Sequence, residues 1–303
     1  MKKTISIITS TVLVAGITAS FAANAADTAD VPEYNPYFNF QVDEGSDYEV
    51  LRGGVVFINT KAASSDSISV PCAIYLNDEQ KLAGKVLAKW QCEKKGIVLK
   101  DLSNPIDNKK YGKAPFSYFN ENPDEILLKD YNENGLNIHA VAYSTMSGDP
   151  MALTGDSAAD YPIACFNAAL EKDAEFGRYT VEVISKPDYY SSVTPRYEDK
   201  TIIKSVDMAG KCEDLIINVS DRKLGDVNDD GFVDAVDASK ILYEYAVTSA
   251  SGESSMTESQ RAASDVDGNK FVDAVDASRV LGFYAYVSSG SEDMTLNSFI
   301  KKN

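Results

Sequence analysis

The architecture turns on Asp226-Val-Asn-Asp-Asp-Gly-Phe-Val-Asp-Ala-Val-Asp237, a stretch that recurs 39 residues later as Asp265-Val-Asp-Gly-Asn-Lys-Phe-Val-Asp-Ala-Val-Asp276. A repeat at this period marks a duplicated structural unit. Each copy puts oxygen-bearing side chains at positions 1, 3, 5, 9 and 12 of a twelve-residue loop, the spacing that wraps a calcium ion. Calcium is a hard cation that takes about six to eight oxygens at about 2.3–2.6 Å, so carboxylates, amide oxygens and a backbone carbonyl suit it. The first loop offers Asp226, Asn228, Asp230, the Phe232 carbonyl, Asp234 (directly or through water) and Asp237. The second offers Asp265, Asp267, Asn269, the Phe271 carbonyl, Asp273 and Asp276, so two Ca²⁺ ions are expected. Crowded carboxylates repel one another without a cation, which couples metal loading to folding. Position 12 is Asp in both copies where the commoner loop has the longer Glu, and position 6 of the second is Lys270 in place of Gly. Gly268 is expected to ease that turn, and the second loop to bind the more weakly.

Each loop runs into a helical pattern. Ala238, Ile241, Leu242 and Tyr245 fall at i, i+3, i+4 and i+7, and Ala277, Val280, Leu281 and Tyr284 repeat the stripe. Thr257-Glu-Ser-Gln260 reads as a capping box that opens a short helix through Ala263, just before the second loop. Ser220-Asp-Arg-Lys-Leu224, before the first loop, leaves no room for an entering helix. The unit is therefore loop–helix, linker, helix–loop–helix.

That arrangement resembles a dockerin, the calcium-dependent plug that holds cellulosome components on scaffold proteins. The resemblance covers about residues 224–287, and we assign 221–290 to this module: small, all-α, with two EF-hand-like calcium loops. In dockerins the partner is contacted from loop positions 10 and 11 and along the following helix. The resemblance thus implies contacts at Ala235, Val236, Lys240, Tyr243 and Glu244 in copy one, and at Ala274, Val275, Arg279, Gly282 and Phe283 in copy two. For Val236 and Val275, core packing is the competing reading. A dockerin implies a cohesin of a larger scaffoldin as its partner.

Residues 46–220 show a different pattern: short runs of period-two alternation separated by turn chemistry, as in an all-β sandwich. Strands are expected over Ile68–Leu76, Lys85–Gln91, Ile97–Asp101, Glu125–Leu128, Leu136–Tyr143, Pro162–Leu170, Arg178–Ser185, Thr201–Val206 and Asp214–Val219, with breakers such as Asn104-Pro105, Asn134-Gly135 and Gly148-Asp149-Pro150 between them. The order of Ile68-Ser-Val-Pro-Cys-Ala-Ile-Tyr-Leu76, Leu82-Ala-Gly-Lys-Val-Leu-Ala-Lys-Trp90, Ala164-Cys-Phe-Asn-Ala-Ala-Leu170, Gly177-Arg-Tyr-Thr-Val-Glu-Val183 and Leu215-Ile-Ile-Asn-Val219 resembles a cohesin, the jelly-roll sandwich that receives dockerins. That resemblance implies a second class of partner, dockerin-bearing proteins. Cys72, Cys92 and the 104–124 insertion depart from the commoner cohesin pattern. The fold class expected is therefore multi-domain, a cohesin-like β-sandwich followed by the dockerin.

Lys2 and Lys3, the apolar run Ile5–Ala23 and Ala23-Asn24-Ala25 read as an export signal over 1–25, and no other stretch is long and apolar enough to span a bilayer. Residues 26–45 are left as a lead-in strand or a loose arm, and 291–303 as a C-terminal tail. The product is expected outside the cell, held at its surface only through the cellulosome.

With 46 acidic and 29 basic residues and a formal charge of −17, nucleic acid is an unsuitable partner, and no membrane is expected as one. The single histidine, His139, excludes multi-histidine metal sites and leaves any histidine-based catalysis dependent on one strand residue. Cys72, Cys92, Cys165 and Cys212 match no metal-knuckle spacing, which leaves either buried thiols or disulfides. The expected function is that of a non-catalytic adaptor scaffoldin. The alternatives are a carbohydrate-binding sandwich, relying on tyrosines such as Tyr75, Tyr118 or Tyr143, or a small glycoside hydrolase.

Overall fold

The computed structural model describes residues 33–64, 67–133, 135–144, 160–185, 190–195, 204–290 and 294–303. The export signal over 1–25, the start of the strand expected at Thr201 and the breaker Gly148-Asp149-Pro150 lie outside them. In chain order the strands are β1 (Tyr37–Val42), β2 (Glu49–Val50), β3 (Val56–Asn59), β4 (Ser69–Asn77), β5 (Ala83–Cys92) and β6 (Ile97–Ser103). They continue as β7 (Ile126–Glu133), β8 (Leu136–Tyr143), β9 (Ala164–Leu170), β10 (Gly177–Val183), β11 (Ser192–Pro195), β12 (Val206–Asp207), β13 (Cys212–Glu213) and β14 (Leu215–Ser220). The helices are α1 (Ser117–Glu121), α2 (Ala235–Ser251), α3 (Glu258–Ser264), α4 (Ala274–Ser288) and α5 (Leu296–Lys302).

Two sheets form among the described residues. One runs β13-β1-β4-β9-β6; the other runs β12-β11-β5-β10-β14-β3-β2, with β8 on the free side of β5 and β7 beyond it. The ends close with parallel pairs, β1 against β13 and β14 against β3. Alternation sets the core between the sheets. Val70, Cys72, Ile74 and Leu76 of β4 and Val86, Ala88, Trp90 and Cys92 of β5 point into it, as do Tyr179, Val181 and Val183 of β10. The 104–124 insertion adds to that core, because Phe116 and Phe119 bury their rings beside Tyr143. All four cysteines are free thiols, and burial pushes Cys92 up to about 11 and Cys165 and Cys212 up to about 12.

Two sequence expectations are made definite here. Of the two readings of the segment before residue 46, its described part takes the strand, and an inner one: β1 pairs with β4 from Tyr37 to Val42 and buries Phe38. The segment read as a C-terminal tail contains α5, whose Leu296 and Ile300, at i and i+4, are buried.

The larger difference is a second core that joins the sandwich to the calcium-loop module. On β14, Leu215, Ile217 and Val219 face the sandwich interior, while Ile216 faces the other way. On β3, Val56 and Ile58 face in and Phe57 faces out. Ile216, Phe57, Leu51 and Val55 then pack with Leu224, Val227, Ile241, Ala263, Val266 and Val280 of the loop module and with Leu296 and Ile300 of α5. A strand that is apolar on both faces is a strand covered on both faces, and the unbroken Leu215-Ile-Ile sequence reflects this.

Candidate metal centres and contact face

The two twelve-residue loops fold alike because the same side chains cap the same helices. Asp234, at position 9, accepts from Val236 N at 2.7 Å, and Asp237, at position 12, accepts from Asp234 N at 3.0 Å. Asp273 and Asp276 repeat this with Val275 N and Asp273 N at 2.7 and 2.9 Å. These are capping boxes, so Asp-Ala-Val-Asp opens a helix and ties the end of the loop to it. Position 6 takes a left-handed backbone in each loop, at Gly231 (φ 90°) and at Lys270 (φ 78°). Gly268 is also left-handed (φ 72°), but at position 4, where it matches Asp229 (φ 61°). It therefore does not spare Lys270, which carries the strained conformation itself.

In loop two, one carboxylate oxygen from each of Asp265, Asp267 and Asp276 lies within 4.8 Å of the others, all three residues being buried. Among the described residues, Asp265 Oδ1 has no hydrogen-bond partner, while Oδ2 stands 3.4 Å from Arg178 Nη2 of β10. Burial, with the charge of Asp267 adding to it and Arg178 working against it, pushes Asp265 up to about 6. Burial above all, with Asp265 and Asp267 beside it, pushes Asp276 up to about 8. A buried acidic trio with one orphaned oxygen is the donor set that a hard dication fits. In loop one Asp226 and Asp237 are buried, and the Asp226 oxygens accept from Asp230 N (3.1 Å) and Gly231 N (2.9 Å). Asn228 reaches Asp230 at 2.7 Å, and Asp234 and Phe232 complete the ring of positions.

The residues implied as partner contacts divide. Ala235, Val236, Lys240 and Tyr243 of copy one and Ala274 and Val275 of copy two are exposed, with Tyr243 at 65%, Val236 at 51% and Val275 at 46%. Glu244 is not: it is 1% exposed and accepts from Ser254 Oγ, Ser255 N and Ser255 Oγ, which ties the linker to α2. Arg279 is partly buried and held by Asp267 at 3.2 Å. Phe283 is half-covered by Phe299 of α5, ring centroids 5.8 Å apart, and the same ring lies over Gly282. Composition alone did not single out Phe232 and Phe271, the position-7 residues, yet both side chains are exposed, at 71% and 69%. Leu242, Tyr245, Leu281 and Tyr284, counted above in the buried stripe, each remain 42% exposed. The fully buried apolar residues of the two helices are Ala238 and Ile241, and Ala277 and Val280; Phe283 and Tyr286 lie against Phe299, and much of the remaining apolar surface faces solvent.

The sandwich offers less chemistry. His139 is buried among Trp90 and Phe166, with Asp130 at 3.7 Å, and burial lowers its pKa against the pull of that carboxylate. Of the tyrosines considered for sugar stacking, Tyr75 and Tyr143 are buried, so they present no platform.

Fold and loops together define a class: a β-sandwich carrying a duplicated, acidic twelve-residue-loop helical module. Residues 224–282 match the family described as dockerin type I domain, whose members generally bind calcium. No curated protein matches the chain. Among solved structures the chain is similar to the seventh ScaB type I cohesin from Pseudobacteroides cellulosolvens, at 12% identity and a TM-score of 0.34, over 61% of this chain and 92% of that one. It is similar to the cohesin CaCohA2 from Clostridium acetobutylicum at 15% identity and TM-score 0.33, over 61% and 92% of the two chains. It is also similar to the second type II cohesin module of the cellulosomal adaptor ScaA scaffoldin of Acetivibrio cellulolyticus, at 7% identity and TM-score 0.33, over 60% and 96%. No helix among the described residues is long and apolar enough to cross a membrane.

Proposed function

We propose that the chain is a non-catalytic, two-ended adaptor of an extracellular cellulosome. Its dockerin module docks on a cohesin of a larger scaffoldin, and its sandwich, a cohesin-like receptor, takes the dockerin of another protein. The observation that carries the reading is the duplicated loop, whose two copies each lead into a helix with an exposed Phe, Val and Tyr surface. Solvent-facing apolar residues in matching places on two helices are an interface waiting for a partner.

Two Ca²⁺ ions would be held by the residues of the two loops, where they supply the charge that lets the carboxylates sit together. The chain's own residues do the rest. Asp234 and Asp273 cap α2 and α4, Asp237 and Asp276 tie the loop ends, and the helices hold Val236, Tyr243 and Val275 outward. No bond is made or broken. The two ends must also differ in specificity, or the chain would pair with itself.

The test is capture by the full chain with calcium present. Dockerin-bearing proteins and a scaffold cohesin should both be retained, and a calcium chelator should release the cohesin. Retention on insoluble polysaccharide with no protein partner would favour the carbohydrate-binding reading, and sugar release from glycans would favour an enzyme.

A further inference from the structure

The two loops have different surroundings, although their sequences are nearly the same. Loop one also sends Val227 and Val233 into the second core, but its outer turn meets the sandwich through Lys61, whose ammonium stands 2.8 Å from Asp229 in a solvent-exposed pair. Such a pair contributes little, and the turn it meets is open to water, Asp229, Asp230 and Gly231 being exposed although Asp226 and Asp237 are buried. Loop two is pressed against the sandwich. Gly53, in the turn before β3, donates its N–H to the Asp267 carbonyl at 2.9 Å, and a Cβ at Gly53 would stand 2.0 Å from the Gly268 carbonyl oxygen. A Cβ at Gly268 would in turn meet Leu51 Cβ at 2.9 Å and Val55 Cβ at 3.2 Å. Two glycines facing each other allow backbone to touch backbone, and Asp267 and Gly268 are buried where their counterparts Asn228 and Asp229 are not. Arg178 of β10 completes the contact by holding Asp265 Oδ2, while Oδ1 has no partner among the described residues.

We infer that the sandwich is a structural wall of the second calcium site, so that loop two holds its ion as a slowly exchanging, locked-in ion while loop one exchanges freely. This rests on the reading of both loops as calcium sites, and it concerns the rate of release, not the affinity that Lys270 bears on. For the ion to leave loop two, the Gly53–Gly268 contact must open, and opening it means lifting the module from the Leu51, Val55 and Phe57 face. Loop one needs no such step.

The experiment is chelator-triggered calcium release from the full chain, followed by stopped flow with a fluorescent chelator. Two phases of equal amplitude are expected. Asp265→Asn should remove the slow phase and Asp226→Asn the fast one. Gly53→Ala inserts a methyl into the contact without replacing any side chain of either loop, and should speed the slow phase about tenfold, equivalent to about 1.4 kcal/mol, while leaving the fast phase alone. Leu51→Ala, which loosens the same wall by removing side chain, should act in the same direction and decides the matter if Gly53→Ala does not fold. The inference is overturned by a single phase, by a slow phase that belongs to loop one, or by a slow phase that neither wall variant alters. Absence of bound calcium would overturn the calcium reading of the loops and this inference with it; two bound ions of equal release rate would overturn the inference alone.

Discussion

Replacing Ile300 with alanine asks whether sandwich, loop module and C-terminal helix fold as one body. Ile300 is buried in the second core together with Leu51, Phe57, Ile216 and Val280. The substitution removes three buried carbons. At about 0.8 kcal/mol each, their lost transfer energy is about 2.4 kcal/mol. The cavity that remains brings the cost to about 3–4 kcal/mol, inside the usual range for such truncations. Each kcal/mol lowers Tm by about 2–4 °C in a chain of this size, so a single cooperative unit should melt about 6–16 °C lower. Two probes report on the two parts. Trp90, the one tryptophan, is buried in the sandwich core, and its fluorescence follows the sandwich. Far-UV circular dichroism in the helical region follows α2 to α5. With calcium saturating, both transitions should fall together. If Trp90 melts at its original temperature while the helical signal collapses early, the second core does not couple the two parts. If neither moves, Ile300 is not packed as described.

Three further outcomes follow from particular residues. Glu244→Gln weakens charge-assisted bonds from Ser254 and Ser255, and denaturant titration in saturating calcium should show about 2 kcal/mol of lost stability with partner affinity through Tyr243 little changed. Lys270→Gly relieves a left-handed non-glycine residue, and its gain, about 1 kcal/mol less the added chain entropy, should appear as a higher Tm of the loaded protein. His139 is held below its ordinary pKa by burial, so its contribution is complete above the unfolded value of about 6.5 and is lost as pH falls through that value toward the folded one. Stability measured with Trp90 should therefore decline below about pH 6.5, and His139→Phe should flatten that part of the profile.

Much of the C-terminal third was legible in the chain because its information is local. Oxygen donors at fixed spacing, Thr257-Glu-Ser-Gln260 as a cap and the missing first helix all depend on residues a few positions apart. The longer strands β4 to β10 and β14 were legible to within about five residues for the same reason, alternation being a nearest-neighbour property, whereas the short β2, β3, β11 and β13 were not read as strands. β1 was less clear, because Tyr37-Phe-Asn-Phe-Gln-Val42 alternates only loosely and its place between β4 and β13 is set by distant pairing. The burial of Glu244 and the partial cover of Phe283 were not legible, because nothing beside them in sequence tells of Ser254, Ser255 or Phe299.

By itself, the sequence determined which atoms can hold a cation and where two helices begin, since a twelve-residue loop closes on its own side chains. It could not determine which loop is sealed. That depends on Gly53 meeting Gly268 and on Ile216 and Phe57 facing out of the sandwich, contacts between residues some 160 to 215 positions apart. Only the folded chain brings such residues together, and the burial they create makes two nearly identical loops physically unequal.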